Sequence, residues 1–172
     1  MLYSQFIETD RLLAIPLDSE QLELYLQKSP FFEDVMGLTN SSIYISEEVE
    51  ELLREAVLPR LKSETTNMHW FTNWIAIVRS TQQIVGDFCF YDAPDAQGLV
   101  EVGYGVYPSQ QKKGYMHELM KGIIGWASEQ EGVRYLRART ERTNVPSIKL
   151  LSKSGFICPD QLEDTQFWYY VI

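Results

Sequence analysis

The stretch VYPSQQKKGYMHELMKGIIGWA, Val106 to Ala127, decides the fold. A strand-like run from Leu99 to Tyr107 stops at Pro108, a polar turn with one glycine follows, and an amphipathic helix then opens. A loop between a strand end and a helix start leaves several backbone N–H groups unpartnered at the positive end of the helix dipole. An anionic phosphate suits such a site. Gln111, Lys112, Lys113, Gly114, Tyr115 and Met116 form the expected cradle, with His117 at its edge in the first helical turn. Glycine is wanted at Gly114, where the backbone must approach a ligand or take a positive φ.

Working outward, Arg11 to Leu17 alternates as a first strand, and Asp18 or Ser19 caps a short helix to Gln27. Ser46 caps a helix expected from Glu47 to Leu61, where Val49, Leu52, Leu53, Ala56 and Val57 recur at helical spacing. Thr72 to Arg79 and Ile84 to Tyr91 read as strands joined by a turn at Ser80 to Gln83. After the strand Leu99 to Tyr107 come a helix from Gly114 to Glu129, a strand from Tyr135 to Thr140 and a helix from Pro146 to Lys153. Strands near Phe156 and from Phe167 to Val171 close the chain. Pro146 suits a first helical turn and Gly155 a C-terminal stop. Antiparallel strands followed by strand–helix–strand–helix–strand imply an α/β, or α+β hybrid, fold: a mixed, mostly antiparallel sheet with helices on both faces.

Composition bounds the function. The 172 residues fit one domain, 1–172, with 45% hydrophobic and 23% charged residues. No apolar run of about 18 residues predicts a membrane span. The N-terminal MLYSQFIETDR lacks the basic and apolar regions of a leader, so a cytoplasmic protein is expected. Cys89 and Cys158 have neither disulfide-framework nor metal-site spacing, and no metal is expected. The net charge of −9 argues against nucleic acid. It is compatible with a cationic acceptor, and equally with a charge that serves solubility alone.

Gln111-Lys112-Lys113-Gly114-Tyr115-Met116 resembles motif A of the GNAT N-acetyltransferase superfamily, Gln/Arg-x-x-Gly-x-Gly/Ala at a helix start. The segment Asn144-Val145-Pro146-Ser147 running on to Leu151 and Gly155-Phe156 is similar to the Asn-x-x-Ser…Leu-x-x-x-Gly-Phe segment of its RimJ/RimL-like branch. Glu8-Thr9-Asp10-Arg11-Leu12 resembles the opening of that branch. The resemblance implies the GNAT fold, in which the strands Leu99–Tyr107 and Tyr135–Thr140 splay into a wedge for acetyl-CoA. The main chain of Tyr104, Gly105 and Val106 would pair with the pantetheine arm. It implies acetyl transfer to a primary amine, either a protein N-terminus or a small molecule, by direct attack in a ternary complex. A homodimer is allowed for. The alternative is a non-catalytic acyl-CoA-binding scaffold of the same fold. Two departures matter: Lys112 stands where glycine is frequent, and Met116 where a small residue normally ends the motif, either narrowing the pyrophosphate site or packing under the helix.

The chemistry needs a base for the amine and a group facing the thiolate. Glu101, on the strand leading into the loop, is the expected base; a solvent-facing or structural-pair role is the competing reading. By resemblance Ser147 faces the thiolate, against a helix-capping role, and Asn144 contacts the cofactor, although Asn also caps helices readily. The acceptor would be chosen by Ser29 to Ser46, Ser63 to Phe71 and Pro159 to Phe167, which carry no recognisable code.

Overall fold

The computed structural model describes residues 5–39, 42–160 and 162–172. Residues 1–4 of the leader reading, and residues 40, 41 and 161 in two of the three acceptor regions, lie outside them. Seven strands form one sheet in chain order: β1 (Ile7–Glu8), β2 (Leu12–Pro16), β3 (Asn73–Val78), β4 (Gln83–Phe90), β5 (Leu99–Val106), β6 (Tyr135–Glu141) and β7 (Thr165–Val171). Every neighbouring pair is antiparallel except β5–β6.

Strand alternation gives the sheet two distinct faces. One face carries Trp74, Phe88 and Phe90, and α5 (Tyr115–Ser128) packs on it through Trp126, whose ring stacks on Phe90 at 5.2 Å. Trp70 and Trp74 meet the same indole edge-on, at 5.1 and 5.5 Å. Three large aromatic groups around one helix residue build an aromatic cluster on this face. The opposite face carries Asn73, Ile75, Asp87 and Cys89, and α1 (Ser19–Leu26) reaches it with Tyr25. Helices therefore cover both faces, as expected.

The helix expected from Glu47 to Leu61 is not one regular α-helix. It runs as α3 (Glu47–Leu52), a π-helical turn (Leu53–Val57) and α4 (Leu58–Ser63). Pro59 supplies the reason: it has no N–H to donate within the helix, and its ring crowds the preceding turn. Widening to π geometry absorbs that misfit. A helix that the pattern did not reveal, α2 (Pro30–Met36), is capped by the Ser29 hydroxyl and ended by Gly37 at φ 66°. The strand expected near Phe156 shrinks to a single bridge between Ile157 and Tyr169. Helix α6 (Val145–Lys153) follows β6.

Among the described residues, no helix is long and apolar enough to cross a membrane, and no cluster of three or more His, Cys, Asp or Glu is arranged to hold a metal.

Candidate functional site

Side chains cap four helices: Asp18 on α1, Ser29 on α2, Ser46 on α3 and Asn144 on α6. Helix α5 has no side-chain cap. Its N-cap is Gly114 at φ 79°, a conformation costly for residues with a Cβ. The first-turn N–H groups of α5 therefore remain for a ligand, and those of Gly114 to His117 point out of the helix end. Lys112 also takes positive φ, 64°. The residue that replaces the frequent glycine thus keeps a glycine-like backbone.

Arg11 braces this loop from the far end of the chain. Its guanidinium donates to Glu118 on α5 at 2.6 Å and to the Lys113 carbonyl at 3.2 Å, and it lies 4.7 Å from the Tyr115 ring centre. The Arg11 backbone N–H and the Thr9 hydroxyl also donate to Glu118. Burial pushes the Glu118 carboxyl up, but these donors outweigh it and hold it below its ordinary value. The opening motif is therefore a clamp on the loop. Met116 is 7% exposed and belongs to the core, so it packs under the helix rather than filling the phosphate space.

Beside the loop the sheet opens. Strands β5 and β6 pair only from Leu99–Tyr135 to Glu101–Arg137. Beyond Glu101, β5 pairs with β4 alone, through Tyr104, Gly105 and Val106 opposite Phe88, Asp87 and Gly86. The edge of these three residues facing β6 is free of ladder bonds, as an added extended chain requires. Thus the loop and the wedge both fit a CoA-type cofactor: a cradle of N–H groups for its phosphates and an open strand edge for its arm.

The structure places the expected site residues as follows. Glu101 sits at the last paired position of the wedge, and its Oε2 accepts from Arg137 Nε at 3.0 Å and from Nη2. It also lines the cavity described next, so it is both wall and ion-pair member. Ser147 does not cap α6. Its hydroxyl bonds the Tyr104 hydroxyl at 2.7 Å, across the wedge. Burial pushes the Tyr104 hydroxyl up to about 12, with the Ser147 bond acting the other way. Asn144 caps α6 by accepting from the Ser147 N–H at 3.2 Å. His117 lies 3.3 Å from the Ser154 hydroxyl, its pKa lowered by burial and then by Lys153 and Lys121.

A cavity of about 720 Å³ lies on the sheet face opposite α5, between the π-containing helix and β3–β5. That volume falls in the range of small-molecule sites. Glu48, Glu51 and Glu55 line it from the helix, with Arg60 and Arg139 as its cations. Its floor follows the strand register: Asn73, Cys89 and Gly103 in one row, Asp87 and Gly105 in the next. The glycines keep that floor low. A Cβ at Gly103 would lie 2.9 Å from the Tyr91 hydroxyl, and one at Gly105 would lie 3.2 Å from Asp87 Oδ1. The Asn73 amide nitrogen is buried without a hydrogen-bond partner.

Asp87 was legible in the sequence only as one polar position in an apolar strand. Here its Oδ2 accepts from the Tyr25 hydroxyl at 3.0 Å, and Tyr25 in turn meets the Tyr107 hydroxyl at 2.6 Å. Burial pushes the Asp87 carboxyl up to about 6, although the Tyr25 bond pulls it down. Burial also pushes the Cys89 thiol up to about 12, with the Asp87 charge adding to it.

The family model described as "Acetyltransferase (GNAT) domain" matches residues 11–157. Over 101 residues the chain is 36% identical to the uncharacterized N-acetyltransferase YjdG of Bacillus subtilis (strain 168), covering 59% of this chain and 60% of that one. It is 29% identical over 80 residues to the uncharacterized N-acetyltransferase p20 of Bacillus licheniformis, covering 46% of this chain and 45% of that one. The matches thus span about half the length of these curated relatives. Among solved structures, the fold is like that of ribosomal-protein-S5-alanine acetyltransferase from Vibrio fischeri (TM-score 0.68, 15% identity, 98% and 97% of the two chains). It is also like that of the ribosomal α-N-protein acetyltransferase RimL in complex with coenzyme A (TM-score 0.65, 13% identity, 98% of each chain).

Proposed function

Because the chain belongs to the GNAT acetyltransferase family, we propose that it moves an acetyl group from acetyl-CoA to a primary amine in a RimJ/RimL-like manner. The observation that carries this is the uncapped start of α5 beside a strand pair open from Val102 onward. The N–H groups of Gln111 to His117 would hold its phosphates, and the open edge of Tyr104 to Val106 would hold its arm. When bound, acetyl-CoA supplies an activated thioester.

The amine enters from the acid-lined cavity on the other face. Proximity of two bound reactants removes much of the barrier. The amine's proton goes to a cavity carboxylate, where Glu101 and Asp87 both stand. The Tyr104–Ser147 hydroxyl pair would supply a hydrogen bond to the leaving sulfur. Cys89 lines the cavity, but a thiol held near 12 is no thiolate at neutral pH. That favours direct attack by the amine over an acyl-enzyme on Cys89. A cationic amine suits the cavity's excess of carboxylates over guanidinium groups.

Calorimetry with acetyl-CoA, followed by an amine panel read by thiol release, tests the reading. Micromolar to millimolar binding, lost in Gly114→Trp while far-UV circular dichroism is retained, is the expected result. No binding at millimolar cofactor by the wild-type chain overturns it. Tight binding with no amine acetylated would leave the non-catalytic scaffold.

A further inference from the structure

Two carboxylates border the cavity near the wedge, and their surroundings differ. Glu101 lies where β5 is still closed against β6, and one of its oxygens is taken by two Arg137 nitrogens. Asp87 lies opposite Gly105, where β5 has already parted from β6. Neighbouring strands are about 4.8 Å apart. An amine resting on Asp87 above Gly105 is therefore roughly one strand spacing from the open edge that would hold the thioester arm. Gly105 has no side chain to intervene, and even a Cβ there would press on Asp87 Oδ1 at 3.2 Å. On the other side, the Tyr25 hydroxyl, itself bonded to the Tyr107 hydroxyl, donates to Asp87 Oδ2, so a hydroxyl rather than a cation occupies that oxygen.

Resting on the acetyltransferase reading, we propose that Asp87, not Glu101, receives the acceptor's ammonium and takes its proton, with Tyr25 as the positioning residue held by Tyr107. The N–H bond of the ammonium breaks and its proton passes to the Asp87 carboxylate, and then to solvent when the cycle closes. The freed lone pair forms the C–N bond while the C–S bond of the thioester breaks and sulfur keeps its electron pair. The nitrogen's second proton ends on that sulfur, so the sum is amide, thiol and one released proton.

The titratable and charged groups around Asp87 are Tyr25 from α1, Tyr107 beyond β5 and Cys89 on β4, with Glu48, Glu51, Glu55 and Arg60 lining the same cavity from the helix side and Tyr91, Glu101, Tyr104 and Arg139 from the sheet side. Tyr25, Tyr107 and Cys89 are all pushed up by burial and stay neutral at physiological pH, so they add hydrogen bonds and no charge. A carboxyl near 6 is ionised at pH 7 yet basic enough to accept a proton, the compromise a general base requires.

Three variants and one spectrum test this. Asp87→Asn should lower kcat/KM about a hundredfold or more, with acetyl-CoA affinity unchanged by calorimetry. Glu101→Gln should lower it less than tenfold. Tyr25→Phe removes a donor to the ionised form and should move the acid limb of the kcat/KM profile to higher pH. In the cofactor-free protein, the ¹³C signal of the Asp87 carboxyl should titrate near 6 and shift upward in Tyr25→Phe. An Asp87 carboxyl titrating below about 5, or full activity in Asp87→Asn with the wild-type pH profile, overturns the proposal and leaves the acetyltransferase reading intact. A wild-type chain that binds no acetyl-CoA overturns both.

Discussion

Replacing Asp87 by Asn should make this protein more stable at pH 7, and the gain should disappear in acid. The carboxyl sits in the cavity floor with its pKa raised from 3.8 to about 6, chiefly by burial. The folded state therefore holds the Asp87 proton more tightly than the unfolded chain does. Between those two values the native state binds more protons, so stability falls as pH rises through that window. Above about pH 6 the full cost is in place. Roughly two units at about 1.36 kcal/mol each give about 3 kcal/mol, an upper value because the cavity admits some solvent. Asn removes the charge while its amide oxygen can still accept from Tyr25. For a chain of this size, about 3 kcal/mol raises Tm by roughly 6–12 °C at pH 7. Urea unfolding monitored by tryptophan fluorescence at pH 7 and at pH 4 measures the difference directly. The expected result is a higher midpoint for Asp87→Asn at pH 7 and coincident curves at pH 4. Equal stability at pH 7, or a variant less stable at both values, would refute the claim that Asp87 is a charge kept at the expense of the fold.

Two further outcomes follow from contacts already described. Arg11→Ala releases Glu118 and the Lys113 carbonyl together; acetyl-CoA affinity should fall about tenfold, or ~1.4 kcal/mol, while the Asp87 titration stays put. Unaltered affinity in calorimetry would mean that the loop holds its shape without the clamp. Gly86→Ala should destabilise the fold by more than about 3 kcal/mol, as overpacking can, because its Cβ would sit 2.3 Å from the Gly105 carbonyl oxygen, which is backbone and cannot step aside. A denaturation midpoint equal to wild type would show that β4 and β5 can part there.

What the chain determines locally was legible in the sequence. Strands β2 to β7 announce themselves by apolar runs of the right length, whereas the two residues of β1 (Ile7–Glu8) are too few to do so, and Pro108 and Gly114 punctuate the step from β5 into α5 because proline ends a strand and only glycine sits easily at φ 79°. The loop from Gln111 to Met116 is a contiguous run of residues, so its position could be read directly. The π-helical turn was missed because periodicity sees Val49, Leu52, Leu53, Ala56 and Val57 and is blind to the hydrogen bond that Pro59 cannot make. Helix α2 was missed because seven residues hold too few turns to show a period, though Ser29-Pro30 and Gly37 were its cap signals.

The acceptor side belongs to tertiary structure alone. Asp87 is one polar residue in an apolar strand until β4 is set against β5, Tyr25 arrives from a helix 62 positions away and Gly105 clears the space above it. Glu101 looks like a free carboxylate until β6 brings Arg137 beside it, 36 positions later. Arg11 is a letter in an opening motif until the sheet lays it against α5. Burial and charge pairing are properties of what surrounds a group, and in a sheet those surroundings come from strands distant in sequence. The amino-acid order by itself therefore determined the uncapped loop proposed to hold a phosphate, and only the packed sheet decided the surroundings of the two carboxylates.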